Sequence, residues 1–128
     1  MTSPVGRILW HDISVPEAGS LRDFYSEVVG WEASETSMGD YADYSMAPPG
    51  DAEPVAGVCH ARGANAGLPP QWLMYVGVAD LDRSLAGCVE HGGEVVDGPR
   101  QMGGDRFAVI RDPAGAVLAL YQSAGAAD

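Results

Sequence analysis

The sequence predicts an α+β chain built from two βαβββ modules, and three observations carry that reading. Apolar residues alternate at period two in some segments and recur at helical spacing in others. Glycine and proline sit between those segments, as in Ala47-Pro48-Pro49-Gly50 and Asp112-Pro113-Ala114-Gly115. Finally, sliding the chain by 63 positions lays Ile13 on Val76, Val15 on Val78, Glu17 on Asp80, Glu27 on Glu90 and Gly30 on Gly93.

The first element is the segment ILWHDISV, rich in β-branched and aromatic residues and stopped by Pro16, which reads as a strand. Alternation puts Trp10, Asp12 and Ser14 on one face and Leu9, His11, Ile13 and Val15 on the other, oily one. His11 therefore reads as a core or edge histidine rather than a metal ligand, and Trp10 with Asp12 as the residues that face a possible site. Next, Leu21, Phe24, Tyr25, Val28 and Val29 make a 3-4 stripe, expected to face a core, with Gly30 where a helix would stop. Strand-like pieces follow at 31–38, 41–47 and 55–61. The first module is thus about 5–61, and a linker rich in Gly, Ala and Pro covers 62–70.

The second module, about 71–122, repeats the plan. Its opening strand, LMYVGV from Leu73, leads to a narrower helical stripe of Leu81, Leu85, Cys88 and Val89, ended by Gly92-Gly93, and then to strands at 94–98, 106–111 and 116–122. Glu17 and Asp80 precede the two helices, where acids suit the positive end of the helix dipole, and His91 suits the negative end of the second.

Seven basic and eighteen acidic residues give a net charge of −11, which repels phosphate backbones and anionic lipid. Neither nucleic acid nor membrane is an expected partner. No apolar run approaches a membrane span and the N-terminal residues lack a signal-peptide pattern, so the expectation is one domain of a soluble cytoplasmic protein. Cys59 and Cys88 have no CxxC spacing and read as free thiols. No P-loop, GxGxxG or Ser-His-Asp order supports those chemistries.

Two βαβββ units carrying FYSEVVGW from Phe24, WLMYVGVADLD from Trp72 and RFAVIRDPAGAVLALY from Arg106 resemble the vicinal oxygen chelate superfamily of glyoxalases, extradiol dioxygenases and bleomycin resistance proteins. The resemblance covers nearly the whole chain. It implies that the modules form a curved, barrel-like mixed sheet around a ligand cavity, and that the chain pairs as a homodimer. The family's metal-dependent members place a His at the start of the first strand of each module and a Glu near the end of each. Those positions here are Trp10, Leu73 and Ala119, with the fourth near Val55 to Val58, where no carboxylate stands. No metal site and no cofactor are expected, since a divalent ion needs several oxygen, nitrogen or sulfur donors.

On that register the expected ligand-binding residues are Trp10, Asp12, Ser14, Leu73, Tyr75, Ala119 and Tyr121, with Gly77 and Val117 on the same face; Tyr44 is a further contributor, Tyr41 being its alternative because three-residue spacing lets at most one of the two face inward. An aromatic, small-residue lining suits a flat organic molecule, although such rings also fill barrels. Asp12 either has a protein partner, Arg106 being a candidate, or serves a ligand. His60 reads as a surface or edge residue. Two functions stay open: a metal-free cup that sequesters a hydrophobic or aromatic small molecule, or a metal-independent lyase, isomerase or cyclase with Asp12 as catalytic general base. A metal enzyme with displaced ligands is a third.

Overall fold

The computed structural model describes residues 4–62 and 66–124. The α+β class and the doubled βαβββ order are as predicted from the sequence. In chain order the elements are β1 (Ile8–Val15), α1 (Ala18–Val29), β2 (Glu32–Ser37), β3 (Ala42–Ala47), β4 (Ala56–His60), β5 (Leu73–Gly77), α2 (Leu81–Glu90), β6 (Glu94–Met102), β7 (Asp105–Arg111) and β8 (Val117–Gln122). The middle of the predicted linker, residues 63–65, lies outside the described residues. The chain divides into two compact units, one spanning His11–Trp72 and the other made of the segment up to Trp10 with everything from Leu73 onward.

In the unit His11–Trp72 the strand order is β2-β3-β4-β1. The β1/β4 pair is parallel and the other two pairs are antiparallel. The α1 side of this sheet holds a core of Ile13, Ala18, Tyr44, Met46 and Val58, flanked by Val15, Leu21, Tyr25, Trp31 and Trp72. The register Ile13↔Val58↔Tyr44 explains the set, because residues paired across strands point the same way. Helix α1 stops at Gly30 in the left-handed conformation (φ 86°), its N–H donating to the Ser26 carbonyl. Only part of its apolar stripe is buried: Leu21 and Tyr25 pack inward, whereas Phe24, Val28 and Val29 are exposed. The stripe is wider than the face the sheet covers.

In the second unit the order is β5-β8-β7-β6, parallel between β5 and β8 and antiparallel elsewhere. Leu81 and Leu85 of α2 pack on Ala108, Ile110 and Leu120, with Val76, Val78 and Cys88 beside them, while Val89 is exposed. The Asp80 carboxylate accepts from the Arg83 N–H and caps α2, whereas Glu17 precedes α1 with no such side-chain bond. His91 is the C-cap of α2. Strand β6 runs beyond the predicted 94–98 to Met102, because two register shifts let it continue through Gly98. The N-terminal segment lies against β5, with reciprocal backbone bonds Gly6 N–H to Gly77 O and Gly77 N–H to Arg7 O. A Cβ at Gly77 would lie 2.1 Å from the Pro4 carbonyl oxygen, so only glycine admits this approach.

Candidate functional site

Two sheet faces, one in each unit, carry side chains suited to chemistry, and in both it is the face turned away from the helix. In the unit His11–Trp72, alternation on β1 and the pairs Asp12↔Gly57 and Ser14↔Cys59 place Asp12, Ser14 and Cys59 together, with Asp43 and Ser45 of β3 on the same side. Ser14 is buried and Asp12 half-buried. Burial pushes the Cys59 thiol up to about 12, and the nearby carboxylates of Asp12 and Asp43 add to the effect, since each disfavours a second negative charge. Asp43 also accepts the His60 backbone N–H at 2.8 Å. The His60 ring is not at the surface: it meets Tyr41 edge-on at 5.4 Å between centroids, and its Nδ1, 3.5 Å from the Asp43 carboxylate, is enclosed without a hydrogen bond.

Tyr44 corrects the sequence reading. It belongs to the core beneath α1, with the Arg22 guanidinium 4.6 Å over its ring, because the Tyr44↔Val58 pair points to the helix side. Arg106, the candidate partner for Asp12, holds Asp82 of α2 through two N–H···O bonds of 3.1 and 3.0 Å. His11 sits on the α1 side as alternation requires, yet it is exposed. It borders a groove of about 370 Å³ shared with Trp31, Val55, Ala56 and Trp72. There Trp72 donates its indole N–H to the Tyr25 hydroxyl at 2.9 Å and meets Trp31 at 6.0 Å.

The second face is aromatic. Tyr75 of β5 stands 6.2 Å from Phe107 of β7 and 6.5 Å from Tyr121 of β8, centroid to centroid. Cross-strand pairing accounts for the cluster: Arg100↔Phe107↔Tyr121 form one row and Asp97↔Val109↔Ala119↔Tyr75 the next. Leu73 and Ala119 are fully buried and form its floor, whereas Tyr75 and Tyr121 are half-buried and reach its surface. Trp10, in the same unit, is half-buried on β1. The Tyr121 hydroxyl donates to the Asp105 carboxylate, and burial first and that bond second push the phenol up to about 12. Asp105 is in turn held below the usual carboxylate range, mainly by that hydroxyl and then by the Ala124 N–H. The sequence reading named Tyr75 and Tyr121 but missed Phe107, Arg100 and the carboxylates of Asp97 and Asp105. The Phe107 signal was legible, two residues from Val109 on an alternating strand; the Arg100 signal was not, because a bulge intervenes.

The positions that carry metal ligands in related proteins hold no donor set here. Trp10, Leu73 and Ala119 offer no coordinating oxygen, nitrogen or sulfur, and Val55 to Val58 add none. Among the described residues no group of three His, Cys, Asp or Glu side chains is placed to hold an ion. A divalent metal of the family type does not fit these residues.

Residues 7–120 match the model of the Glyoxalase/Bleomycin resistance protein/Dioxygenase superfamily, and the chain belongs to that family. It is 32% identical over 117 residues to "Putative glyoxylase CFP32" of Mycobacterium tuberculosis, covering 89% of this chain and 44% of that protein. With "Anthracycline biosynthesis protein DnrV" of Streptomyces peucetius it shares 29% identity over 133 residues, covering 91% and 47%. The chain thus spans less than half the length of these curated relatives. Among solved structures, methylmalonyl-CoA epimerase in complex with methylmalonyl-CoA and NH4+ matches with a TM-score of 0.57 at 19% identity over 95% of this chain and 97% of that one, a likeness of fold. No helix among the described residues is long and apolar enough to cross a membrane.

Proposed function

We propose that this chain is a metal-independent small-molecule-binding protein that takes a planar aromatic ligand on the face formed by Tyr75, Phe107 and Tyr121. The observation that carries the reading is the packing of three rings in one cluster, with Phe107 buried as support and the two tyrosines at the surface. Stacking on preformed rings gives affinity for flat molecules at little entropic cost. Similarity to proteins named for anthracycline biosynthesis supports a polycyclic aromatic ligand class. The net charge of −11 supports a small molecule over a polyanion as partner.

The absence of donors at Trp10, Leu73 and Ala119 supports a metal-independent role. A catalytic role for Asp12 has one specific observation in its favour: it shares a face with Cys59 and Asp43, so several protonatable groups stand together. The test is equilibrium titration with 1,4-dihydroxyanthraquinone, followed by absorbance and by chromatography of the mixture. Binding with unchanged ligand is expected, and Tyr75→Ala should weaken it by about 1–3 kcal/mol, the range of a buried aromatic anchor. A converted product that disappears in Asp12→Asn would replace sequestration with catalysis.

A further inference from the structure

We propose that the groove bordered by His11, Trp31, Val55, Ala56 and Trp72 is a second small-molecule site, one that takes a hydrophobic cation with its ammonium group against the indoles of Trp31 and Trp72. The groove lies wholly in the unit His11–Trp72 and shares no residue with the cluster of Tyr75, Phe107 and Tyr121.

The parallel pair Asp12↔Gly57 brings His11 of β1 near Ala56 of β4, one residue earlier on each strand. Ala56 is buried and forms the floor, Val55 and His11 are exposed at the rim, and Trp31 and Trp72 are half-buried along the wall. The two indoles cross at 74° with centroids 6.0 Å apart. Rings so inclined make a corner, and a body lodged in it meets an aromatic face. Tyr25, which does not line the groove, fixes that corner: it stands 5.7 Å from Trp31 and 5.3 Å from Trp72, and its hydroxyl accepts the Trp72 indole N–H. The site is thus preformed, and its volume of about 370 Å³ is that of a small-molecule pocket.

Charge selects the occupant. The unit His11–Trp72 contains ten acidic and two basic residues, and so carries eight of the chain's eleven net negative charges. Both arginines are engaged, Arg22 with Asp23 and the Tyr44 ring, Arg62 with Asp40 and the Tyr41 ring. Among the described residues no Lys or Arg lines the groove, while the exposed Glu32 follows Trp31 and the exposed Glu53 stands two positions before Val55. An anion is repelled by this field, and a second copy of the chain would bring the same excess of negative charge to the contact. A cation is drawn in, and at the groove it meets ring faces whose negative quadrupole holds an ammonium group, Trp being the strongest of the aromatic side chains in this role. Its alkyl groups are covered by Val55 and Ala56, so apolar contact adds to the electrostatic one.

The test compares 4-(hydroxymethyl)phenyl-trimethylammonium with 4-tert-butylbenzyl alcohol, two molecules of one shape that differ by a single positive charge. Each is titrated into 15N-labelled protein and followed through the indole N–H resonances, assigned with Trp10→Phe, Trp31→Phe and Trp72→Phe. Saturable shifts at Trp31 and Trp72 are expected, with the cation bound about three- to thirtyfold tighter than the neutral probe, the range of a cation–π contact from exposed to desolvated. His11→Arg, a change at an exposed rim residue, should remove that preference and leave the neutral probe bound as before. Trp31→Leu, which keeps apolar bulk without a ring, should reduce it. Equal affinity of the two probes for the wild type overturns the assignment, as does a preference unaltered by both substitutions in folded protein. No shift, or a shift at Trp10 alone, overturns the site. If the Trp31 and Trp72 resonances move on dilution of the protein alone while sedimentation shows a dimer dissociating, a second copy occupies the groove and the proposal falls. The wild-type comparison needs no variant, so it decides the matter even where a substitution unfolds the chain.

Discussion

Cys59 shows how a single side chain reports its surroundings. Its thiol, raised from an ordinary 9.0 to about 12, stays protonated at neutral pH, so alkylation by iodoacetamide at pH 8 should be slow in the native protein and fast after urea unfolding. Mass spectrometry of the Cys59 peptide checks this; equal labelling in both states would contradict it. The second and third causes of that shift are Asp12 and Asp43, so Asp12→Asn should bring the thiol pKa down, as read by thiolate absorbance. The sign for stability follows from Cys59 together with Tyr121. Tyr121 is also raised, from 10.0 to about 12, and a proton held more tightly in the folded state stabilises it fully below the unfolded pKa. Stability should therefore be intact at pH 8 and fall progressively as pH rises past 9 toward 12, with Tyr121→Phe flattening the upper part of the decline. Urea midpoints across that range measure it.

At the scale of elements, burial rather than hydrophobicity decides what a substitution costs. Met46 is fully buried under α1, and Met46→Ala should destabilise by about 2–5 kcal/mol, whereas Phe24→Ser on the exposed flank of α1 should change stability by no more than about 0.5 kcal/mol. Gly77→Ala should cost about 1–3 kcal/mol or displace the N-terminal segment, since its Cβ would collide with the Pro4 carbonyl. Denaturant titrations rank the three. These contrasts also show what was readable from sequence. Period-two alternation on β1 and β5 placed Ile13, Val15, Val76 and Val78 on the helix sides and Asp12 and Tyr75 opposite, because a strand leaves no other choice. Tyr44 was placed on the wrong face, since the start of β3, and so its parity beside Tyr41, was ambiguous. Arg100 was invisible for a stronger reason: a bulge breaks the period that any reading of faces relies on. The exposed half of the α1 stripe escaped because periodicity marks an apolar face but not how much of it a sheet will cover.

At the scale of the molecule, a fold shared with methylmalonyl-CoA epimerase at 19% identity carries no reaction with it, so function has to be argued from side chains. Among the described residues no group of three His, Cys, Asp or Glu side chains is placed to hold a metal, and one face supplies three clustered rings and two carboxylates. Elemental analysis after dialysis against a chelator should find no stoichiometric divalent metal, with the thermal midpoint unchanged; one retained equivalent would contradict that reading. The ring cluster can be observed directly in a protein carrying 13C-labelled tyrosine, titrated with anthraquinone-2-carboxylate and followed by aromatic NMR. Saturable shifts of the Tyr75 and Tyr121 ring resonances, assigned through Tyr75→Phe and Tyr121→Phe, are expected, with Tyr44 beneath α1 unmoved. Saturable binding that shifts Tyr44 or Tyr25 and leaves Tyr75 and Tyr121 unchanged would contradict the placement of the ligand on this face.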